Sequence, residues 1–131
     1  MQKCLEFKYY TTICSSAPSE FLSDLALRHR ENLVMRNRQI VLNNLSLLQA
    51  FLARRSELFS WTAPNASPIG FVEFHAGRDV QQFCEALVRD AGVLLLPGTV
   101  YDEPRHIRFG YGRRNMPESL AQLESYLQSH T

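Results

Sequence analysis

The arginine at position 108 is the side chain in this sequence best suited to hold a substrate. It stands in the segment 105–127, which predicts a short strand around Arg108, a turn, and a terminal helix beginning near Asn115. A planar guanidinium offers paired N–H donors that match the two oxygens of a carboxylate, and the opposite charges strengthen both hydrogen bonds. A carboxylate is therefore the kind of ligand to which Arg108 is suited.

The residues next to Arg108 leave two interpretations open. Alternation along a strand places Ile107, Phe109 and Tyr111 on one face, and Arg108 with His106 and Gly110 on the other. A glycine beside the arginine leaves room for a ligand, which favours binding. The alternative is an exposed strand arginine paired with a protein carboxylate, a contact that contributes little to stability.

The other residues that could bind a metal or act as a nucleophile lack the neighbours in the sequence that such sites need. The pairs of possible metal ligands each lack a third ligand at a fitting spacing, so the sequence predicts no metal site. These pairs are His75 with Asp79 and His29 with Glu31. Cys14 has no histidine near it in the sequence, which argues against a nucleophilic thiol there.

Composition indicates an ordinary folded protein. The 131 residues have 45% apolar and 21% charged side chains, as in globular proteins, and a net charge of +1. That charge predicts neither a nucleic-acid partner nor a membrane surface. The three cysteines form no CxxC pair, which favours reduced thiols and a cytoplasmic location. The arginines between positions 28 and 55 are interpreted as a solvated or protein-paired helix face, and a nucleic-acid stripe is the weakest alternative.

The sequence predicts an α+β fold in which a long N-terminal helix precedes a small sheet packed with helices. Residues 1–15 form a lead segment rich in β formers, and residues 16–60 have helical periodicity with no glycine or interior proline. Residues 61–131 contain an apolar strand over 69–75, a helix capped by Asp79 and ended by Gly92, and a short strand over 93–96. The strand of Arg108 and the last helix complete this small domain.

The order of these segments resembles the C-terminal small domain of class I/II aminotransferases, pyridoxal-phosphate enzymes with the aspartate aminotransferase fold. The segment 9–20 resembles the entry into that family's linking helix. "Gly92-Val-Leu-Leu-Leu-Pro-Gly98" is similar to its strand before the active-site loop, and "His106-Ile-Arg-Phe-Gly-Tyr-Gly-Arg113" to its carboxylate-binding strand. The resemblance covers essentially the whole chain. It implies that Arg108 binds the α-carboxylate of an amino acid or keto acid, and that Tyr101 lies near the substrate entrance.

The same resemblance implies that the catalytic centre lies elsewhere. Family members carry the Schiff-base lysine and the pyridoxal phosphate site in a large N-terminal domain, whereas the only lysines here are Lys3 and Lys8, in the lead segment. We expect pyridoxal phosphate in a full-length parent enzyme, no cofactor on this chain alone, and no activity without the missing large domain. The alternative is a non-catalytic binding or interaction module.

The apolar surface of the long helix predicts an oligomer. It carries more apolar side chains than one small domain can cover, and Phe59 and Trp61 stand at its end. We expect self-association that hides this surface.

Overall fold

The computed structural model describes residues 2–12 and 14–130 and divides the chain into two compact units, residues 1–36 and 37–131, with the boundary inside α3. In chain order the elements are α1 Gln2–Thr11, α2 Ala17–Arg28, α3 Arg30–Arg54, β1 Phe59–Ser60, β2 Ile69–Phe74, α4 Val80–Ala91, β3 Leu96–Pro97, a 3₁₀ helix Gly98–Tyr101, β4 His106–Gly110 and α5 Met116–His130. The predicted α+β class is confirmed.

The described residues of the first unit form helices without a core. Neither α1 nor α2 contains a buried residue. α2 begins after Ser16, with Pro18 in its first turn, where a missing N–H costs nothing. Isolated helices of ten to twelve residues are marginal in water, so these helices need a packing partner to be stable.

The second unit is built on a four-stranded antiparallel sheet in the order β1-β2-β4-β3. One face of the sheet carries the core, because alternate residues of β2 and β4 are buried there. The most deeply buried members of this core are Leu48, Phe51, Phe59, Val72, Leu87, Ile107, Phe109, Tyr111 and Leu123.

Local signals explain both ends of α4. The carboxylate of Asp79 accepts a hydrogen bond from the backbone N–H of Gln82 at 2.8 Å, which satisfies one of the free donors of the first turn. Gly92 ends the helix in the left-handed conformation, with φ 66°, which glycine adopts without steric cost. Both ends agree with the prediction.

The structure corrects three predicted elements. Residues 2–11 form a helix rather than a strand-like lead, and Ile13 lies outside the described residues. The single helix predicted over 16–60 is divided at His29, and its last part is a turn followed by β1. The strand predicted over 93–96 is reduced to Leu96–Pro97, because only these residues pair with β4.

No helix in the described parts of the chain is long and apolar enough to cross a lipid bilayer.

Candidate carboxylate-binding site

Arg108 lies in the middle of β4, a strand with neighbours on both sides. It stands opposite Phe71 of β2 and opposite Leu96 of β3. Directly opposed residues share a face, so these three side chains form a row across the sheet face opposite the core. Arg108 is half-buried, while the next residue in each direction is buried on the core side.

A tight loop returns the chain from β3 to β4 and carries Tyr101. The 3₁₀ helix Gly98–Tyr101 ends at Asp102, which adopts the left-handed conformation with φ 60°. The backbone N–H of Glu103 then donates to the carbonyl of Gly98 at 3.0 Å. Gly98 is required because a Cβ there would overlap the carbonyl oxygen of Glu103 and lie 2.6 Å from that of His106.

The loop places the phenol of Tyr101 against Arg108. Nη1 of Arg108 donates to the hydroxyl of Tyr101 at 2.9 Å. The tyrosine ring meets Phe71 edge-to-face, with centroids 5.9 Å apart and planes at 89°. Within residues 2–12 and 14–130, Nε and Nη2 of Arg108 have no protein acceptor, and neither is a buried unsatisfied atom. One edge of the guanidinium is therefore available to a carboxylate.

A cavity of about 510 Å³ adjoins Arg108 and the start of α5. Its polar lining comes from Arg108, Arg113, Asn115 and Ser119, and its apolar lining includes Leu95. Two arginines and no acidic residue line it, so its electrostatic character favours anions. A second cavity, of about 410 Å³, lies between the ends of α4 and α5 and is lined by neither arginine.

His106 completes the aromatic surface beside Arg108. Its ring stacks on Phe71 with centroids 4.7 Å apart and planes 5° from parallel. Nδ1 of His106 is buried without a hydrogen-bond partner and lies 3.6 Å from the carboxylate of Glu103. The sequence placed His106 on the same strand face as Arg108. It did not indicate that His106 stacks on Phe71, because this contact crosses between strands.

The other predicted candidates stand in local surroundings of their own. Nε2 of His75 is 2.8 Å from the hydroxyl of Ser60, and Asp79 is used as the α4 cap. His29 and Glu31 are exposed at the junction of α2 and α3, and Cys14 is an exposed free thiol. Across the described residues, no group of three or more potential ligands is arranged to hold a metal ion.

Sequence comparison finds one curated relative at a significant level, and no protein-family model matches the chain. Capreomycidine synthase of Streptomyces vinaceus is 24% identical over 132 residues, which cover 99% of this chain and 34% of the synthase.

Comparison of structures identifies the fold. A pyridoxal-phosphate-dependent aminotransferase from Streptococcus suis superposes with a TM-score of 0.86 and 27% identity, over 95% of this chain and 33% of the aminotransferase. The pyridoxal-phosphate-dependent cyclase OrfR superposes with a TM-score of 0.86 and 26% identity, over 96% of this chain and 35% of the cyclase. The chain thus spans about a third of the length of these relatives, which is consistent with the small C-terminal domain of an aminotransferase.

The residues described here do not fit the cofactor of these relatives. A Schiff base to pyridoxal phosphate requires a lysine amine at the cofactor aldehyde. Lys3 and Lys8 are both exposed on α1, and neither lines either cavity. The lining of the cavity beside Arg108 is instead suited to an anion, because it contains two arginines and no acidic residue.

Proposed function

We propose that this chain is the substrate-carboxylate-binding part of a pyridoxal-phosphate-dependent enzyme of the aminotransferase type. Such an enzyme transfers an amino group between an amino acid and a keto acid, and both carry a carboxylate that Arg108 binds. One observation carries the proposal. The fold of this chain matches about one third of the length of such an enzyme. Within this fold Arg108 lies on a central strand, and in the described residues one edge of its guanidinium has no hydrogen-bond acceptor.

The cofactor and its lysine then belong to a large domain outside these 131 residues, and the chain alone is inactive. The exposed positions of Lys3 and Lys8 on α1 support this part of the proposal. We also propose a cytoplasmic location, which is compatible with the three free cysteines Cys4, Cys14 and Cys84.

Titration of the full chain with small ligands tests the binding role. We expect L-alanine and pyruvate to shift the NMR signals around Arg108, and ethylamine, which lacks a carboxylate, to leave them unchanged. Arg108→Gln is expected to abolish this response, because the variant lacks the guanidinium and its paired N–H donors. Arg105→Gln is the matched control, since this exposed arginine of the same segment lies 3.6 Å from Glu73 and is predicted to leave ligand binding intact. A response that survives Arg108→Gln contradicts the proposal.

A second experiment tests where the cofactor is held. Pyridoxal phosphate is added to the full chain, followed by borohydride reduction and intact-mass measurement. We expect no specific adduct. A stoichiometric adduct on Lys3 or Lys8 would overturn this part of the proposal and make the chain a cofactor-binding protein by itself.

The alternative function is a non-catalytic binding module, and the cavity lined by Arg108 and Arg113, which suits an anion without a cofactor, is the observation that supports it. Both functions predict carboxylate binding. They differ when a large domain of the same fold is added as a separate polypeptide, because only the enzyme part is expected to restore amino-group transfer.

A further inference from the structure

We infer that Tyr101 is a positioning residue for Arg108, which holds the guanidinium in the orientation that presents its free edge to a carboxylate. This inference rests on the proposed function for its ligand, but its structural basis is separate. It assigns a role to the loop between β3 and β4 rather than to the strand.

The first support is the geometry of the hydrogen bond. An arginine side chain has many rotamers, and ordering it in a complex costs conformational entropy. The 2.9 Å bond from Nη1 to the hydroxyl of Tyr101 restricts these rotamers before any ligand arrives. Because the guanidinium is planar and rigid, restricting Nη1 also restricts the directions in which Nε and Nη2 point.

The second support is that Tyr101 is itself held in place. Its ring rests edge-to-face on Phe71, and Phe71 in turn stacks on His106. The backbone behind the ring is closed by the bond between Glu103 and Gly98. A tyrosine has only two side-chain torsions, so these contacts make it a stiffer support than a longer polar side chain.

The third support is the hydrogen-bond capacity of the phenol. The hydroxyl of Tyr101 accepts from Arg108, and in the described residues its own proton has no acceptor. Tyr101 therefore orients Arg108 without neutralising it, whereas a carboxylate at this position would occupy the charge that the ligand needs.

The test uses the full chain, with ¹⁵N NMR of the Arg108 side chain. Tyr101→Phe removes the hydroxyl and keeps the ring against Phe71. We expect faster solvent exchange of the Arg108 Nε–H without ligand. We also expect roughly three- to tenfold weaker binding of L-alanine, the range for losing one ordinary hydrogen bond. Tyr10→Phe is the matched control, because Tyr10 is exposed on α1 and far from Arg108 in sequence.

A second variant keeps the inference testable if the first disturbs the fold. Phe71→Leu leaves the hydroxyl but removes the ring that supports Tyr101, so we expect Nε–H exchange between that of the wild type and that of Tyr101→Phe. Unchanged backbone amide spectra identify the variants that remain folded.

The outcomes separate the inference from the proposed function. If Tyr101→Phe changes neither the exchange rate nor the affinity while Arg108→Gln abolishes binding, the inference is overturned and the proposed function stands. If Tyr101→Phe tightens binding, Tyr101 competes with the ligand and the inference is also overturned. If Arg108→Gln leaves binding intact, the proposed function fails, and the exchange rate alone decides whether Tyr101 orients Arg108.

Discussion

The side-chain amide of Asn44 in α3 donates to the backbone carbonyl of Tyr111, just beyond the end of β4, at 2.9 Å. The same nitrogen donates to the carbonyl of Arg113 at 2.6 Å. Asn44 is 4% exposed and is the buried polar residue of this core. Its two bonds anchor the segment that leaves the strand of Arg108 to the helix packed beneath it.

Loss of this anchor is expected to lower stability. Asn44→Ala leaves two carbonyl oxygens without their partner and opens space in the core, so we expect the free energy of unfolding to fall by about 1–3 kcal/mol. Denaturant unfolding measures the change. Asn43→Ala is the control, since Asn43 is exposed and interacts with Gln39 on the helix surface. Equal effects of the two variants would contradict the anchoring role.

Two glycines near Arg108 are expected to respond differently to alanine. Gly98→Ala places a Cβ against the carbonyls of Glu103 and His106, so we expect about 1–3 kcal/mol of destabilisation and displacement of the Tyr101 loop. Gly110→Ala meets nothing within 4 Å and is expected to stay within about 0.5 kcal/mol of wild type. Thermal unfolding measures the loss of stability, and the NMR signals of the Arg108 side chain report displacement of the Tyr101 loop. A Gly98→Ala variant as stable as the wild type would contradict the close approach of the Glu103 and His106 carbonyls to Gly98.

The pair Arg55–Glu124 is expected to make stability depend on pH. Nη2 of Arg55 lies 2.5 Å from Oε1 of Glu124, and hydrogen bonding to Arg55 lowers the pKa of Glu124 from its ordinary value. As the pH falls, the carboxylate of Glu124 therefore binds a proton in the unfolded chain before it does so in the folded chain. The stabilisation is complete above the ordinary pKa of glutamate, and it is lost as the pH falls through the lower pKa of the folded state.

Glu124→Gln should consequently reduce stability at neutral pH and flatten the stability profile in the acidic range below the ordinary pKa of a glutamate. Unfolding measured across this range tests the expectation. Asp24→Asn removes the exposed pair with Arg28 and should leave the profile nearly unchanged. If Glu124→Gln keeps the wild-type slope, the pair is not the source of the pH dependence.

The three thiols are expected to react at different rates. Burial raises the pKa of Cys84 to about 11, with a smaller contribution from Glu85, whereas Cys4 and Cys14 are exposed. Because the thiolate is the reactive form, Ellman's reagent should modify Cys4 and Cys14 rapidly and Cys84 only when the second unit opens. Rapid reaction of all three thiols in the folded chain would show that Cys84 is accessible.

The apolar surface of residues 1–36 is expected to drive self-association. Phe21 is 69% and Leu25 43% exposed, in a unit whose two complete helices contain no buried residue. We expect Phe21→Asp with Leu25→Asp to shift the chain toward monomer in sedimentation velocity. Leu94→Asp, at a site 80% exposed in the second unit, is the control. A wild-type chain that stays monomeric at high concentration would contradict this prediction.

Local signals allowed the strand of Arg108 and the ends of α4 to be predicted, because strand alternation and helix caps depend on neighbouring residues. The contact between Arg108 and Tyr101 was beyond prediction. It depends on a 3₁₀ turn and a left-handed Asp102, and aspartate signals that conformation weakly. The helix over 2–11 was mispredicted as irregular or strand-like because the β formers between Phe7 and Cys14 carry only a weak propensity.

The central position of β4 has a consequence for how the chain fluctuates. The strand is hydrogen-bonded to β2 along its whole length and to β3 near its middle. Its amide protons should therefore exchange with deuterium only through the openings of the second unit that require the most free energy. The amide protons of the Tyr101 loop should exchange through openings that require less. Arg108 would thus stay on a strand that opens slowly, even while its hydrogen bond to the hydroxyl of Tyr101 is briefly broken.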